Sequence, residues 1–201
     1  MFITLAGPTG VGKTTLARRI AERLRAQLML DPFADNPFLP QLYEHADIPQ
    51  TPLALQVELT FMALRVAQLR QIDVLLAHGA TVVADWSMAQ QVVFAGTTLS
   101  AADARRVRAS CSVWDDATIR PDLLIALSAP APLLLRRIAR RSRPMESVLS
   151  STDLEKLARA FDTPLHDYAK RVIELDTSTF DALNDQDVTA LLARIPAQER
   201  S

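Results

Sequence analysis

The sequence predicts an α/β protein built on a five-stranded parallel sheet with helices on both faces. Short apolar runs, the pattern of buried parallel strands, alternate with longer segments of helical periodicity along most of the chain. That alternation is the order of βαβ units, which place helices on both sides of a parallel sheet. Four predicted strands end in a glycine-rich loop or a polar residue. Ligands bind beyond the carboxyl ends of parallel strands, so we expect these ends to form one crevice.

The individual elements follow from composition and periodicity. The predicted strands are short and apolar and comprise residues 2–6, 28–30, 80–84, 123–127 and 171–175. The predicted helices comprise residues 13–25, 52–78, 99–117, a segment from residue 132 that carries four arginines, 151–169 and 185–194. Prolines at 32, 37 and 40 interrupt regular structure between the second strand and the long helix. The chain of 201 residues suits one domain spanning residues 1–201, with a tail at 196–201 expected to fray.

Bulk composition excludes several classes of function. The net charge of -1 provides no overall field for nucleic acid or an anionic membrane. Cys111 is the single cysteine, so the chain has no internal disulfide, as expected in a reducing compartment. The three histidines lack metal-ligand spacing, no apolar run is long enough to span a bilayer, and no signal peptide precedes the first strand. We therefore expect a soluble, cytoplasmic protein.

The first strand leads into a complete phosphate-binding loop, with the pattern glycine, four residues, then Gly-Lys-Thr. Glycines let backbone amides turn inward around phosphate oxygens, and the following helix directs its positive end at them. Lys13 is expected to reach the β- and γ-phosphates of ATP, and Thr14 to offer its hydroxyl to Mg²⁺. The predicted nucleotide-binding residues are Gly7, Pro8, Thr9, Gly10, Val11, Gly12, Lys13, Thr14 and Thr15.

A phosphate loop alone does not separate kinases from GTPases or motor ATPases. The sequence contains no Asn-Lys-x-Asp motif, with which GTPases read guanine, and no run of four apolar residues followed by Asp-Glu, as many motor ATPases have. At this length, a small-molecule kinase is the remaining interpretation.

Several further segments of the chain stand out together. They are Gly7–Thr14, Asp31-Pro-Phe, Asn36-Pro-Phe-Leu39, Tyr43, Gln56, Asp85-Trp-Ser87, Phe94-Ala95, Pro121–Ile125 and Arg136–Glu146. Their order resembles that of deoxynucleoside kinases, which belong to the P-loop kinases. The chain resembles the bacterial deoxyadenosine/deoxyguanosine kinase branch, with matches from about residue 2 to residue 170. The resemblance implies the P-loop kinase fold and transfer of the ATP γ-phosphate to the 5′-hydroxyl of a deoxynucleoside, a purine one in this branch. The long apolar helix at 52–78 suits either a homodimer face or a position buried within one subunit.

Two departures from the family pattern concern the proposed base. The family usually has Glu-Pro after the second strand, where this chain has Asp31-Pro32, and often Asp-Arg-Ser after the third, where it has Asp85-Trp86-Ser87. In the family, that Glu is the base next to the 5′-hydroxyl, and the missing Arg helps to hold it and the phosphates. Asp31 is therefore the expected base, unless it only shapes the turn. Asp85 is expected to bind Mg²⁺ through water or to serve as a second candidate base, unless it only caps a helix.

The resemblance also implies the contacts to the substrate. Gln56 would offer its amide to the base edge, Tyr43 and Glu146 would hold the sugar 3′-hydroxyl, and Arg65 would contact substrate or Asp85. Phe61, Phe94 and Trp86 would pack on the base or simply form core.

An arginine-rich segment at about 136–147 is expected to be a lid. Arg137, Arg141 and Arg143 would close on the transferring phosphoryl group, where guanidinium groups neutralise charge. The alternative interpretation is that the same arginines form a charged surface exposed to solvent.

Two rival functions remain. A nucleoside monophosphate kinase of thymidylate-kinase type would need extra basic residues for the acceptor phosphate, and residues 31–60 contain no Lys or Arg. A nucleotide-binding regulator without turnover would account for the two departures in the motifs.

Overall fold

The five predicted strands form one sheet. The computed structural model describes residues 1–44, 52–114, 120–141, 150–162 and 165–195. Within these residues the strands are β1 (Phe2–Ala6), β2 (Gln27–Met29), β3 (Val82–Ala84), β4 (Leu123–Ser128) and β5 (Val172–Asp176). All neighbouring strands are parallel, in the order β2-β3-β1-β4-β5. The prediction of a five-stranded parallel sheet is confirmed.

Helices connect the strands and cover both faces of the sheet. They are α1 (Lys13–Leu24), α2 (Leu39–Glu44), α3 (Pro52–Ala77), α4 (Met88–Thr98), α5 (Ala101–Val113), α6 (Ala131–Arg141), α7 (Ser151–Phe161) and α8 (Asp185–Leu192). Short 3₁₀ turns occupy Phe33–Asp35 and His166–Tyr168. In the described ranges no helix has both the length and the apolar character that a membrane span requires.

The central strand divides its side chains between two cores, because successive residues of a strand point to opposite faces. Ile3 and Leu5 pack with α1, α6 and α8 on one face. Phe2 packs on the other face with residues of α3, and Ala6 packs with Ala89 of α4. Side chains on both faces of β1 are therefore buried, and this explains why the strand is apolar except for Thr4, whose hydroxyl donates to the carbonyl oxygen of Trp86.

The strand order brings the predicted chemistry to one edge. The phosphate loop follows β1, Asp85 follows β3 directly, and Asp31 lies two residues beyond β2. Because β3 lies between β1 and β2, Asp85 is placed between the loop and Asp31. Three of the four predicted strand ends thus converge, whereas Ser128 at the end of β4 lines a separate cavity beside Pro8.

Two helix predictions were wrong in their bounds. The predicted helix at 99–117 begins at Ala101, because the Ser100 hydroxyl accepts a hydrogen bond from Asp103 N and so caps a new helix after α4. The predicted helix at 151–169 ends at Phe161, and the chain forms a separate 3₁₀ turn at His166–Tyr168. Residues 142–147, half of the predicted lid at about 136–147, lie outside the described residues.

Gly7 lies where the phosphate loop leaves β1 and passes close to β4. Its φ is +151°, and an added Cβ would lie 2.5 Å from the carbonyl oxygen of Leu127 and 3.0 Å from Cγ1 of Val11. Neither the strand carbonyl nor the loop can retreat without disturbing the sheet. Glycine is therefore required here by the close approach of two backbones.

We expect Gly7→Ala to lower the free energy of unfolding by about 1–3 kcal/mol, the usual cost of forcing extra atoms into a packed site. Gly96→Ala is the matched control, because Gly96 lies within α4 and an added Cβ there meets no atom within 4 Å. That change should stabilise the protein by about 0.5–1 kcal/mol. Urea unfolding of the two variants checks this, and equal stabilities would contradict the steric argument.

Candidate active site

The phosphate loop encloses an anion site at the start of α1. Gly12 has a φ of 104° and precedes the first helical residue, Lys13, so the loop amides and the helix N-terminus point to the same place. Lys13 Nζ donates hydrogen bonds to the carbonyl oxygens of Gly7 at 2.8 Å and Pro8 at 3.0 Å. Burial lowers the pKa of Lys13 to about 8, while the carboxylates of Asp31 and Asp85 oppose this shift. The ammonium group is thus held across the loop, with two carboxylates near it.

Asp85 joins the phosphate loop to the second strand end. Its Oδ2 accepts a hydrogen bond from Thr14 Oγ1 at 2.5 Å, and its Oδ1 accepts one from the backbone N–H of Asp31 at 2.6 Å. Burial raises the pKa of Asp85, and these two hydrogen bonds oppose the rise. Thr14 and Asp85 are a hydroxyl and a carboxylate side by side, the oxygen ligands that suit Mg²⁺ alongside phosphate and water. Within the described ranges no cluster of three or more His, Cys, Asp or Glu forms a metal cage.

Arg65 clamps Asp31. Its Nη2 donates to Asp31 Oδ1 at 2.9 Å and Oδ2 at 2.8 Å, and its Nε donates to Oδ1 at 3.1 Å. The guanidinium is buried, and it lies 4.7 Å from the ring centroid of Phe61 and 5.9 Å from that of Trp86. Its remaining Nη1 donates to Gln91 Oε1 at 2.5 Å. Asp31 is therefore fixed in orientation by a buried guanidinium that is itself held by Gln91 and two aromatic rings.

A chain of hydrogen-bonded polar side chains leads from Arg65 through Gln91 to Glu58, which lies in the apolar part of the cavity wall. Gln91 Nε2 donates to the backbone carbonyl of Glu58 at 3.1 Å and to its carboxylate oxygen Oε2. The other carboxylate oxygen, Oε1, accepts from Thr98 Oγ1 at 3.0 Å. Burial raises the pKa of Glu58 to about 7, although the hydrogen bonds from Thr98 and Gln91 and the charge of Arg65 oppose it. Gln90 is also buried, and its Oε1 has no partner among the residues that the structure describes.

Most of these groups line one cavity of about 930 Å³, but Gln91 is fully buried and does not belong to its wall. One part is the phosphate loop and Asp85, and another is lined by apolar residues of α3 and α4 with Glu58 and Gln90 among them. A third part is lined by residues 180–183, which follow β5. Arg137 connects this last part to the loop, because it donates to the Thr177 hydroxyl and carbonyl, each at 2.8 Å, and to Val11 O at 3.4 Å.

The structure brings most of the predicted site residues together. The cavity wall includes loop residues 9–15 and the side chains expected from later elements, namely Asp31, Tyr43, Arg65, Asp85, Arg137 and Arg141. Phe61 and Phe94 line it as well, whereas Trp86 is buried in the core beneath Arg65. Arg143 and Glu146 lie outside the described residues.

The prediction for Gln56 needs correction. Its side chain is exposed and does not belong to the cavity wall, whereas Glu58, two residues later on α3, is buried in that wall. Two residues on a helix are separated by about 200° around its axis, so only one of these side chains can face the cavity. A lone carboxylate two turns before Arg65 in an apolar helix was the available signal for Glu58. Sequence reasoning also missed Gln90 and Gln91, which follow the third strand end by one helical turn.

Three comparisons of this chain with known proteins agree with the geometry of the site. Residues 3–196 match the family model described as deoxynucleoside kinase. The chain belongs to the deoxynucleoside kinase family. It is therefore an ATP-dependent phosphotransferase that acts on deoxynucleosides, and a monophosphate kinase of thymidylate-kinase type is no longer needed to explain the sequence.

Relatives and solved structures of this kinase family are similar over almost their whole length. The chain is 29% identical to the Bacillus subtilis deoxyguanosine kinase over 201 residues, covering 96% of this chain and 95% of that one. It is also 29% identical to the deoxyadenosine/deoxycytidine kinase of the same organism, covering 92% and 86% of the two chains. The M. mycoides deoxyadenosine kinase, solved with dCMP and a flexible dCDP, superposes with a TM-score of 0.77 at 17% identity, covering 96% of this chain and 98% of that one. The last comparison shows the P-loop kinase fold.

Burial of Glu58 makes a prediction about stability and pH. Its pKa rises from an ordinary 4.5 to about 7 on folding, so the folded protein binds this proton more tightly than the unfolded chain does. The contribution to stability is therefore largest below about pH 4.5 and is lost as the pH rises to about 7. We expect Glu58→Gln to stabilise the protein more at pH 8 than at pH 5, by about 1–3 kcal/mol.

Urea unfolding at the two pH values measures this difference. Exposed Glu174 on β5 provides the control, because Glu174→Gln removes a carboxylate that is not buried. The same pH dependence in wild type and Glu58→Gln would show that Glu58 is not the group responsible.

Proposed function

We propose that this kinase transfers the γ-phosphate of ATP to the 5′-hydroxyl of a purine deoxynucleoside, with Asp31 as the general base. The observation that carries the proposal is the position of Asp31, which Arg65 orients within the same cavity as Lys13 and the phosphate loop. In the reaction, the 5′-oxygen bonds to the γ-phosphorus while the bond from that phosphorus to the bridging oxygen of ADP breaks. The hydroxyl proton passes to the Asp31 carboxylate.

The donor side is assigned to the loop and the end of β5. Residues 7–15 would bind the phosphates through Lys13 and the loop backbone N–H groups, which all but Pro8 carry, and residues 180–183 would contact the nucleoside part of ATP. Thr14 and Asp85 would hold Mg²⁺, which would neutralise the charge that develops on the phosphates. Asp85 suits this role because its Oδ2 lies beside the Thr14 hydroxyl, the other oxygen assigned to Mg²⁺.

The remaining roles concern charge and the sugar. Arg137 and Arg141, both in the cavity wall, would stabilise the transferring phosphoryl group, and Arg143 is assigned with them from the sequence. Tyr43 in the wall and Glu146 would hold the 3′-hydroxyl. A purine acceptor is supported by the names of the two B. subtilis relatives, since one names deoxyguanosine and the other names deoxyadenosine together with deoxycytidine. The homodimer stays a prediction.

Lys13→Ala should lower kcat/KM for phosphoryl transfer by about a hundredfold or more, since one preorganised charge on a phosphoryl group is usually worth that much. The measurement is ATP consumption over a panel of deoxynucleosides and their monophosphates. The control is Lys170→Ala, which should keep full activity, because Lys170 is exposed and pairs with Asp122 at 2.7 Å. Normal turnover by Lys13→Ala would contradict the assignment of the loop as the site that binds the ATP phosphates. A preferred monophosphate acceptor would favour the rival kinase class.

Asp31→Asn and Asp85→Asn separate the base from the metal ligand. Loss of a positioned base should reduce kcat by about 10²–10⁴, at the low end because phosphoryl transfer asks little of a base. Asp31→Asn should keep the wild-type dependence on Mg²⁺ concentration, whereas Asp85→Asn should need more Mg²⁺ for half-maximal rate. If Asp31→Asn is fully active and Asp85→Asn is inactive at any Mg²⁺ concentration, Asp85 is the base.

A further inference from the structure

The hydrogen bonds that join Arg65, Gln91 and Glu58 all donate in one direction, from Arg65 toward Glu58. The Arg65 guanidinium can only donate, so the Gln91 amide must turn its Oε1 toward Arg65 and its Nε2 toward Glu58. Glu58 therefore stands at the end of a chain of donors, and its carboxylate accepts from Gln91 and from Thr98. The orientation of the Gln91 amide is therefore determined by its two neighbours.

Glu58 retains acceptor capacity toward the cavity. Above its pKa of about 7 the Glu58 carboxyl group is ionised and has about four lone-pair positions, of which Gln91 and Thr98 use two. Water cannot serve the others freely, because the residue is 5% exposed. The buried Oε1 of Gln90, on the facing helix α4, has no partner among the described residues and lines the same cavity. The wall thus presents acceptors that a bound molecule has to satisfy.

Glu58 also lies at a suitable place for a nucleobase. It precedes Arg65 by two helical turns on α3, about 10 Å of axial rise, and Arg65 orients the Asp31 carboxylate assigned to the 5′-hydroxyl. Phe61 and Phe94 supply aromatic surface in the same part of the cavity. With the 5′-hydroxyl at Asp31, the base of the nucleoside extends toward Glu58.

Base edges differ in what they offer to a carboxylate. The Watson–Crick edge of guanine has two adjacent donors, N1–H and the N2 amino group, which match two carboxylate oxygens in a bidentate, charge-assisted pair. Adenine and cytosine have one amino donor beside a ring-nitrogen acceptor, and thymine has one N–H between two carbonyl acceptors. Each of these three would place an acceptor against the acceptors of the wall, which leaves buried polar groups unpaired.

We propose that Glu58 selects guanine by accepting hydrogen bonds from N1–H and the N2 amino group of deoxyguanosine. The inference rests on the proposed function, since it assumes that Asp31 binds the 5′-hydroxyl end. A neutral amide at position 58 offers one donor and one acceptor, which suits adenine better than guanine. The identity of this single side chain therefore determines the base preference.

The test measures kcat/KM with ATP at pH 8 for three acceptors: deoxyguanosine, deoxyinosine, which lacks the N2 amino group, and deoxyadenosine. Wild type should prefer deoxyguanosine over each of the others by about tenfold to a hundredfold, the usual worth of a bidentate base contact. Glu58→Gln should lower the ratio of deoxyguanosine to deoxyadenosine by a similar factor. Gln71→Glu adds a carboxylate on the exposed face of α3 and should leave the ratio unchanged.

A second measurement does not depend on a variant. Calorimetric binding of deoxyguanosine and of 1-methyldeoxyguanosine to wild type should show that the methyl group weakens binding by about tenfold or more, because it removes the N1–H donor. Equal affinity for the two, a wild-type preference for deoxyadenosine, or an unchanged ratio in a folded Glu58→Gln would overturn the assignment of Glu58. If no deoxynucleoside were phosphorylated, the proposed function itself would fail. Strong phosphorylation of deoxyadenosine with poor use of deoxyguanosine would overturn the base assignment alone.

Discussion

The buried guanidinium of Arg65 is the interaction on which the site depends. A buried charge is tolerated only with close partners, and removal of one partner from such a pair usually costs about 3–5 kcal/mol. Arg65 meets this requirement with the bidentate contact to Asp31 and the hydrogen bond to Gln91. One cation on α3 therefore positions a side chain beyond β2 and another on α4. The alignment of three separate elements is enforced by a single electrostatic constraint.

The clamp bears on the two departures from the family motif. The arginine that often follows the third strand is replaced here by Trp86, whose ring lies 5.9 Å from the Arg65 guanidinium, in the core. In this chain Arg65 on α3 supplies the positive charge beside the Asp31 carboxylate. The backbone N–H of Asp31 donates to Asp85, and this hydrogen bond keeps the two strand ends together.

Local sequence determined the parts of this site that depend on backbone pattern. The phosphate loop, the apolar strands and the polar strand ends were readable, because each follows from glycine content or residue alternation. The orientation of α3 was not readable, because a helix that is apolar on every side has no periodic face by which its rotation can be assigned. The family resemblance singles out Gln56, and no periodic face of α3 indicates that Glu58 faces the cavity instead. The clamp joins residues far apart in sequence, and no local pattern encodes such a pairing.

The position of Gln91 has a practical consequence. This residue is fully buried, and its amide is held between Arg65 and Glu58 with no rotational freedom. Side-chain amides of exposed glutamines have similar surroundings and give crowded, overlapping NMR signals. A buried one held between a charged guanidinium and a carboxylate should have proton shifts displaced from these signals and slow solvent exchange. Gln91 is then a built-in spectroscopic reporter, placed between the two ends of the cavity without any introduced label.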